Sequence, residues 1–202
     1  MHSPDSVLPI EQPLENAQRI PGDLAMWFFI FAELLAFALL IGSMAYARGH
    51  WNDIFSAGIA TLHPIAGLIN TLILLTGSYF AANAVHRGIA GNQNALIKGF
   101  ILAAICGLFY VVVKVSEYGI LFADGYNLRT NTFYFFYFFT TFFHLMHVVL
   151  GMVILLVVAK RCHSGYYADQ EKVRMASESA ASYWHMVDLV WLVLFPLLYV
   201  LP

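Results

Sequence analysis

Five apolar runs, each about 19 to 27 residues long, limit what this chain can fold into, because a run of that length crosses a bilayer as one helix. In hydrocarbon, backbone polar groups must be satisfied inside a helix or a closed barrel, and these runs lack the period-two alternation of barrel strands. The sequence therefore predicts an all-α membrane protein, a bundle of five transmembrane helices at about 23–47, 61–86, 98–122, 133–160 and 182–201.

Composition agrees with a membrane protein. Of the 202 residues, 60% are hydrophobic and 11% are charged, whereas soluble domains carry about 25% charged residues. The net charge of −2 argues against nucleic acid as a partner, because that requires a basic stripe. Cys106 lies in an apolar run and Cys162 in a connection, which argues against a disulfide framework and a cysteine-rich metal site.

The chain divides into a short tail and one domain. Residues 1–22 contain four prolines and no apolar core of the signal-peptide type, so we predict a polar N-terminal tail. Residues 23–202 are predicted to form a single five-helix transmembrane domain. The polar connection at 161–181 is long enough to begin as a surface helix.

The distribution of Lys and Arg predicts the orientation. If the five spans alternate, one side of the membrane carries seven of these residues, namely Arg19, Arg87, Lys98, Lys160, Arg161, Lys172 and Arg174. The other side carries only Arg48 and Arg129. Cytoplasmic connections are enriched in Lys and Arg, which predicts a cytoplasmic N-terminus and a C-terminus on the outside.

Every span contains an ionisable or hydrogen-bonding residue partway along it. Together these residues form a predicted buried polar seam, consisting of Glu33, Asn70, Lys114, Glu117, His144, His147, His185 and Asp188. Such side chains are costly in a membrane unless they face protein or water and have a partner. Small residues share their helical faces at steps of three and four, which favours packing against another helix of this chain or of a partner.

The spacing suggests two pairings inside the seam. Lys114 and Glu117 are three residues apart and are predicted to pair within their helix. Glu33 and His147 lie at similar depths near the middle of the bilayer, which suggests a contact between them. Alternatively Glu33 stays protonated, because burial disfavours the charged carboxylate. A structural role for Glu33 is favoured over a role in proton relay.

The pattern His144-x-x-His147 raises the question of a metal site. Two imidazoles are too few for zinc or copper, which take three or four ligands. His185 and Glu33 would have to complete the set, and His185 is expected near the inner interface whereas the pair lies near the middle of the bilayer. We therefore expect packed, hydrogen-bonded histidines, with no metal, no cofactor and no catalytic residue. Phosphate-binding glycine patterns are absent from the sequence.

A basic cluster lies where the second and third spans approach the same side of the membrane. It consists of His86, Arg87 and Lys98, and it is a candidate site for anionic lipid head groups. The same residues also fit the ordinary enrichment of positive charge in cytoplasmic connections. The sequence leaves both interpretations open.

Several stretches resemble subunit III of the haem-copper respiratory oxidases. Residues 139–151, FTTFFHLMHVVLG, resemble the His-x-x-His-Val signature of that family, and residues 183–191, YWHMVDLVW, resemble its last-helix motif. Three further stretches agree in order, at 29–33 (FIFAE), 68–75 (LINTLILL) and 116–118 (SEY). The resemblance covers about residues 22–201, and Glu178 also falls where the family tends to place an acidic residue.

The resemblance implies a fold and a role. The fold is the bundle of that subunit in a five-helix form, without the first two helices of the seven-helix versions. The role is that of a subunit without a redox centre, which packs against the catalytic subunit, holds phospholipids in a cleft, supports proton uptake and protects against turnover-linked inactivation. Glu33 matches the family's carboxylate near the lipid cleft. A bacterial cytoplasmic membrane is the implied location.

Departures from the family pattern keep other functions open. Phe142, Phe143 and Leu145 stand where family members often carry smaller residues, and Lys114 replaces a usually uncharged residue. The short form resembles the branch associated with bacterial nitric oxide reductases in denitrification, so the catalytic partner is either an oxidase or such a reductase. An independent proton channel or small transporter is a third hypothesis, although the spans show no repeat. A haem-binding enzyme, the fourth hypothesis, would need more mid-membrane histidines on separate helices than this chain offers.

Overall fold

The computed structural model describes residues 21–167 and 169–201, and within them the chain is helical, without strands. Six α-helices are followed by one π-helical turn, in the order α1 Leu24–His50, α2 Asn52–Ile59, α3 Pro64–Ile89, α4 Gln93–Ala123, α5 Thr132–His163, α6 Gln170–Phe195 and Pro196–Val200. All the α-helices except α2 are long and apolar enough to span a membrane. The predicted all-α, five-span fold is confirmed, while residues 1–20 of the predicted tail lie outside the described residues.

Helices α3, α4, α5 and α6 form the core of the bundle, and α1 packs on α5 and α6. Only one narrow stripe of α1 is buried, and it repeats every seven residues at Ile30, Phe37 and Met44. Most of the other apolar side chains of α1 are exposed, as at Phe28 and Leu39. Helix α1 therefore offers most of its length to lipid or to another protein.

Short polar residues and glycines mark the ends of the helices. Side chains of Asp23, Asn92 and Asn131 accept hydrogen bonds from backbone amides in the first turns of α1, α4 and α5. Helices α3, α4 and α5 are each followed, two residues after the last helical residue, by a glycine with positive φ, namely Gly91, Gly125 and Gly165. The amide after each glycine donates to a carbonyl five residues earlier, which terminates the helix.

The structure differs from the predicted helices at two places, the start of the last span and the connection after the first span. The fifth span was expected to begin at 182, but α6 begins at Gln170 and is continuous. Its first turns bury Val173, Ser177 and Ala180 at helical spacing, and the charges on its other face conceal this stripe from a search for purely apolar runs. Helix α2 was expected to be a connection, but it buries Phe55 against α5.

A proline changes the pitch of the chain after α6. Pro196 has no amide hydrogen to donate, and the following turn is π-helical, with the Leu201 amide donating to the Pro196 carbonyl at 2.9 Å. This turn buries the side chain of Tyr199 in the interior of the bundle. The position of Tyr199 matters for the site described next.

Candidate functional site

Glu33 of α1 and His147 of α5 form the contact that their depths in the sequence suggested. His147 Nε2 lies 2.9 Å from Glu33 Oε2, and His147 Nδ1 lies 2.7 Å from the carbonyl of Phe143. A carbonyl only accepts, so Nδ1 carries a proton, and one further proton must lie between Nε2 and the carboxyl oxygen. The pair is thus either two neutral groups or an ion pair, and it is neutral in total. Glu33 keeps 22% of its side chain exposed.

His144 is fully buried one helical turn away and is held in one tautomer. Its Nε2 lies 3.0 Å from the carbonyl of Val187 on α6, so Nε2 donates. Its Nδ1 lies 3.0 Å from the hydroxyl of Tyr110 on α4 and accepts from it. Both ring nitrogens of His144 are therefore used inside the protein. In the described part of the chain, no group of three or more His, Cys, Asp or Glu side chains could hold a metal ion.

Lys114 and Glu117 form the predicted pair within one helix, at 2.9 Å, and both side chains are buried. Lys114 Nζ also donates to the hydroxyl oxygens of Tyr137 on α5 and Tyr199 in the π-helical turn. The Tyr199 hydroxyl donates to Glu117 at 2.8 Å. The ammonium lies 4.7 to 5.5 Å from the centres of four aromatic rings, which adds cation–π attraction. The buried charge is thereby neutralised and fully hydrogen-bonded.

His185 and Asp188 of α6 share a third contact with α3. The hydroxyl of Ser78 donates to Asp188 Oδ2 at 2.8 Å, and His185 Nδ1 lies 3.2 Å from the same hydroxyl oxygen. The hydroxyl has one hydrogen, so His185 Nδ1 donates to it. This arrangement places His185 against α3 rather than beside Glu33, the position that a shared metal site would have required.

Asn70 is the seam residue whose partner the structure does not identify. Its side chain is fully buried on α3, and among the described residues its amide oxygen and nitrogen have no hydrogen-bond partner. At the next residue, the hydroxyl of Thr71 accepts from Trp191 Nε1 at 3.0 Å. This contact also links α3 to α6.

Sequence reasoning did not identify Tyr137, Tyr199 or Trp191 as members of the network. Tyr137 lies seven residues before His144, on the same helical face, and that spacing could have indicated it. Tyr199 enters the network through the π-helical turn, which the sequence pattern did not predict.

The predicted basic cluster is divided in the structure. Arg87 and Lys98 line a groove of about 620 Å³ between α3 and α4, at the end of the bundle where these two helices are connected. His86, the third predicted member, is exposed but is not part of the lining of this groove. Glu33, also predicted to bind lipid, lies on α1, away from the groove.

Comparisons with known proteins agree with the five motifs and the helical bundle. A family model for cytochrome c oxidase subunit III matches residues 21–201. Cytochrome c oxidase subunit 3 of Thermostichus vulcanus is 31% identical over 183 residues, which cover 88% of this chain and 86% of that protein. The subunit 3 of Paracentrotus lividus is 30% identical over 193 residues, covering 92% and 70%. A probable subunit 3 of Rickettsia prowazekii is 30% identical, covering 86% and 60%. This chain belongs to the cytochrome c oxidase subunit III family.

Proposed function

We propose that this chain is a non-catalytic subunit of a haem-copper respiratory oxidase in a bacterial cytoplasmic membrane. It packs against the catalytic subunit, stabilises it, and supports proton uptake beside a phospholipid-filled cleft near Glu33. Membership of the subunit III family and five membrane spans support this role.

One observation carries the non-catalytic role: the histidines of the motif are already occupied. His144 uses both ring nitrogens for Tyr110 and Val187, and His147 uses both for Phe143 and Glu33. These contacts connect α5 to α1, α4 and α6. The residues that could have bound a metal thus hold the helices together.

The exposed surface of α1 supports an assembly with other molecules. In the most apolar 18-residue stretch of α1, only 11% of the residues are buried. In the most apolar stretch of the last span, Gln170–Tyr199, 56% are buried. Glu33 lies on α1 at the edge of the contact with α5, partly exposed. We propose that phospholipid and the catalytic subunit cover this helix in the complex.

Co-purification tests the proposed role. An affinity-tagged copy of the chain, expressed in its native host, should isolate a haem-bearing oxidase catalytic subunit, and the Soret absorption of the complex should be absent when the chain is purified alone. A reductase of nitric oxide as the partner would instead support the alternative role in denitrification. A Soret band from the chain alone would contradict the proposal.

Variants of Glu33 test its part in the complex. Glu33→Ala removes the partner of His147, so the complex should lose bound phospholipid and inactivate faster during turnover. Glu33→Gln introduces an amide that can still hydrogen-bond to His147. Its lipid content and inactivation rate should lie between those of Glu33→Ala and wild type. Unchanged lipid content and inactivation in Glu33→Ala would contradict a role of Glu33 in the cleft. Proton flux into liposomes that contain only this chain would favour the channel hypothesis.

A further inference from the structure

The groove between α3 and α4 brings two cations from neighbouring helices to one cavity. Arg87 lies in the last turn of α3 and Lys98 lies in the second turn of α4, and both line the groove. Arg87 uses one guanidinium N–H for the Asn83 side chain at 3.2 Å, which holds Nε against α3 and leaves its other N–H groups for a ligand. The amide side chain of Asn94 lines the same cavity.

The charge of this groove is positive. Among the residues that the structure places in its lining, none is acidic. Guanidinium and ammonium groups bind phosphate oxygens through charge-assisted hydrogen bonds, and Arg can do so with two parallel bonds. The groove therefore suits a phosphate group.

The lower part of the groove is apolar. Leu102 lies one turn further along α4 than Lys98, and Tyr79 lies two turns before Arg87 on α3. Measured along the helix axes, they are about 6 and 12 Å further from this end of the bundle than the two cations. Both are substantially exposed. Gly99 forms part of the lining between these levels, where α4 approaches Ala84 closely. A small phosphate ion would leave this apolar part uncovered.

We propose that this groove binds an anionic phospholipid, with the phosphate held by Arg87 and Lys98 and an acyl chain lying along Tyr79 and Leu102. The site lies on α3 and α4, whereas the Glu33–His147 contact lies on α1 and α5. The proposal therefore stands whether or not the oxidase role of the chain is correct.

Native mass spectrometry of the full-length chain in detergent tests the site, with phosphatidylglycerol and phosphatidylcholine of identical acyl chains as probes. Wild type should bind phosphatidylglycerol more tightly. The double variant Arg87→Gln/Lys98→Gln should bind it about 25-fold more weakly, because each cation near a membrane surface contributes about fivefold to the binding of anionic lipid.

A matched control removes two cations from the same end of the bundle but outside the groove. Lys160→Gln/Arg161→Gln should keep the affinity for phosphatidylglycerol within about twofold of wild type, since two distant charges add little once salt screens them. An equal loss in both double variants would overturn the proposal, as would equal binding of the two lipids by wild type. Circular dichroism of each variant confirms that the helices are retained.

A third measurement separates a lipid from a free anion. Leu102→Ser should weaken phosphatidylglycerol binding, because Leu102 contacts the proposed acyl chain. Inorganic phosphate should displace the lipid only at a large molar excess. Displacement at equal concentration, together with no effect of Leu102→Ser, would identify the groove as a phosphate site and overturn the lipid assignment.

Discussion

At the scale of single residues, two pairs of ionisable side chains balance their charges through short contacts within this chain. Glu33 and His147 share a proton, and Lys114 is matched by Glu117. A neutral His144 satisfies both of its contacts, with Nε2 donating to the Val187 carbonyl and Nδ1 accepting from the Tyr110 hydroxyl. Ionisable groups in a membrane usually mark function, and here their contacts connect helices.

Lys114 provides the clearest test of this interpretation. Lys114→Met leaves the carboxylate of Glu117 buried without its cation, and removing one partner of a buried pair typically costs about 3 to 5 kcal/mol. We expect a marked decrease in the midpoint of thermal unfolding in detergent. The double variant Lys114→Met/Glu117→Gln removes both charges and should recover most of the loss.

The control for this test is Lys160→Met, which removes an exposed Lys from the end of α5. Its unfolding midpoint should be close to that of wild type. If Lys114→Met were equally unaffected, Glu117 would have to be stable without the ammonium, and the buried pair would not be a stabilising contact.

At the scale of helices, α3 and α4 approach each other through small residues. A Cβ added at Gly99 would lie 2.5 Å from the Cβ of Ala84 and 3.1 Å from the backbone oxygen of Phe80. A Cβ added at Gly77 would lie 3.1 Å from the Cβ of Cys106. Without hydrophobic exclusion from water, helices in a membrane depend on such close packing.

Gly99→Ala tests this contact. The new methyl group would press on the Cβ of Ala84 and on backbone, neither of which can rotate away, so we expect a loss of about 1 to 3 kcal/mol in unfolding free energy. Gly119→Ala, in the same helix, is the matched control because no described atom outside its own helix backbone lies within 4 Å of the added Cβ. Equal stability of the two variants in denaturant titrations would contradict close packing as the cause.

Helix α1 is held to the bundle at particular points. At its start, the Gly22 amide donates to Glu178 at 2.8 Å and the Asp23 amide donates to Ser179 Oγ at 2.9 Å. At its end, the Arg48 guanidinium donates to the Leu201 carbonyl at 2.9 Å. Together with the Glu33–His147 contact, these bonds position a helix that buries little apolar surface of its own.

At the scale of the whole molecule, a four-helix core carries a peripheral helix. The core buries most of the polar contacts, while α1 exposes an apolar surface that suits lipid or a partner subunit. The orientation of this assembly in the membrane stays a prediction from the distribution of Lys and Arg.

Labelling with a membrane-impermeant maleimide tests the orientation. In a background without Cys106 and Cys162, we expect Ala123→Cys, at the end of α4, to react in intact bacterial cells. Gln93→Cys, at the start of the same helix, should react only after the membrane is permeabilised. The opposite pattern would reverse the predicted orientation.

The sequence by itself determined the class of fold, the number of spans and two side-chain pairings, one from the spacing of residues on a helix and one from their depth in the bilayer. Long apolar runs permit only helices in hydrocarbon, and residues three apart on a helix share a face, which is why Lys114 and Glu117 were paired correctly. The depth of Glu33 and His147 also sufficed to suggest their contact.

Only the tertiary structure decided which helices meet and which side chains complete each contact. Tyr199 reaches Lys114 because the turn after Pro196 is π-helical, and α6 begins early because its amphipathic first turns pack on the bundle. Such contacts join residues that are far apart in the chain, and Lys114 and Tyr199 are separated by more than 80 positions. Local periodicity contains no information about them, since they depend on how the helices pack against one another.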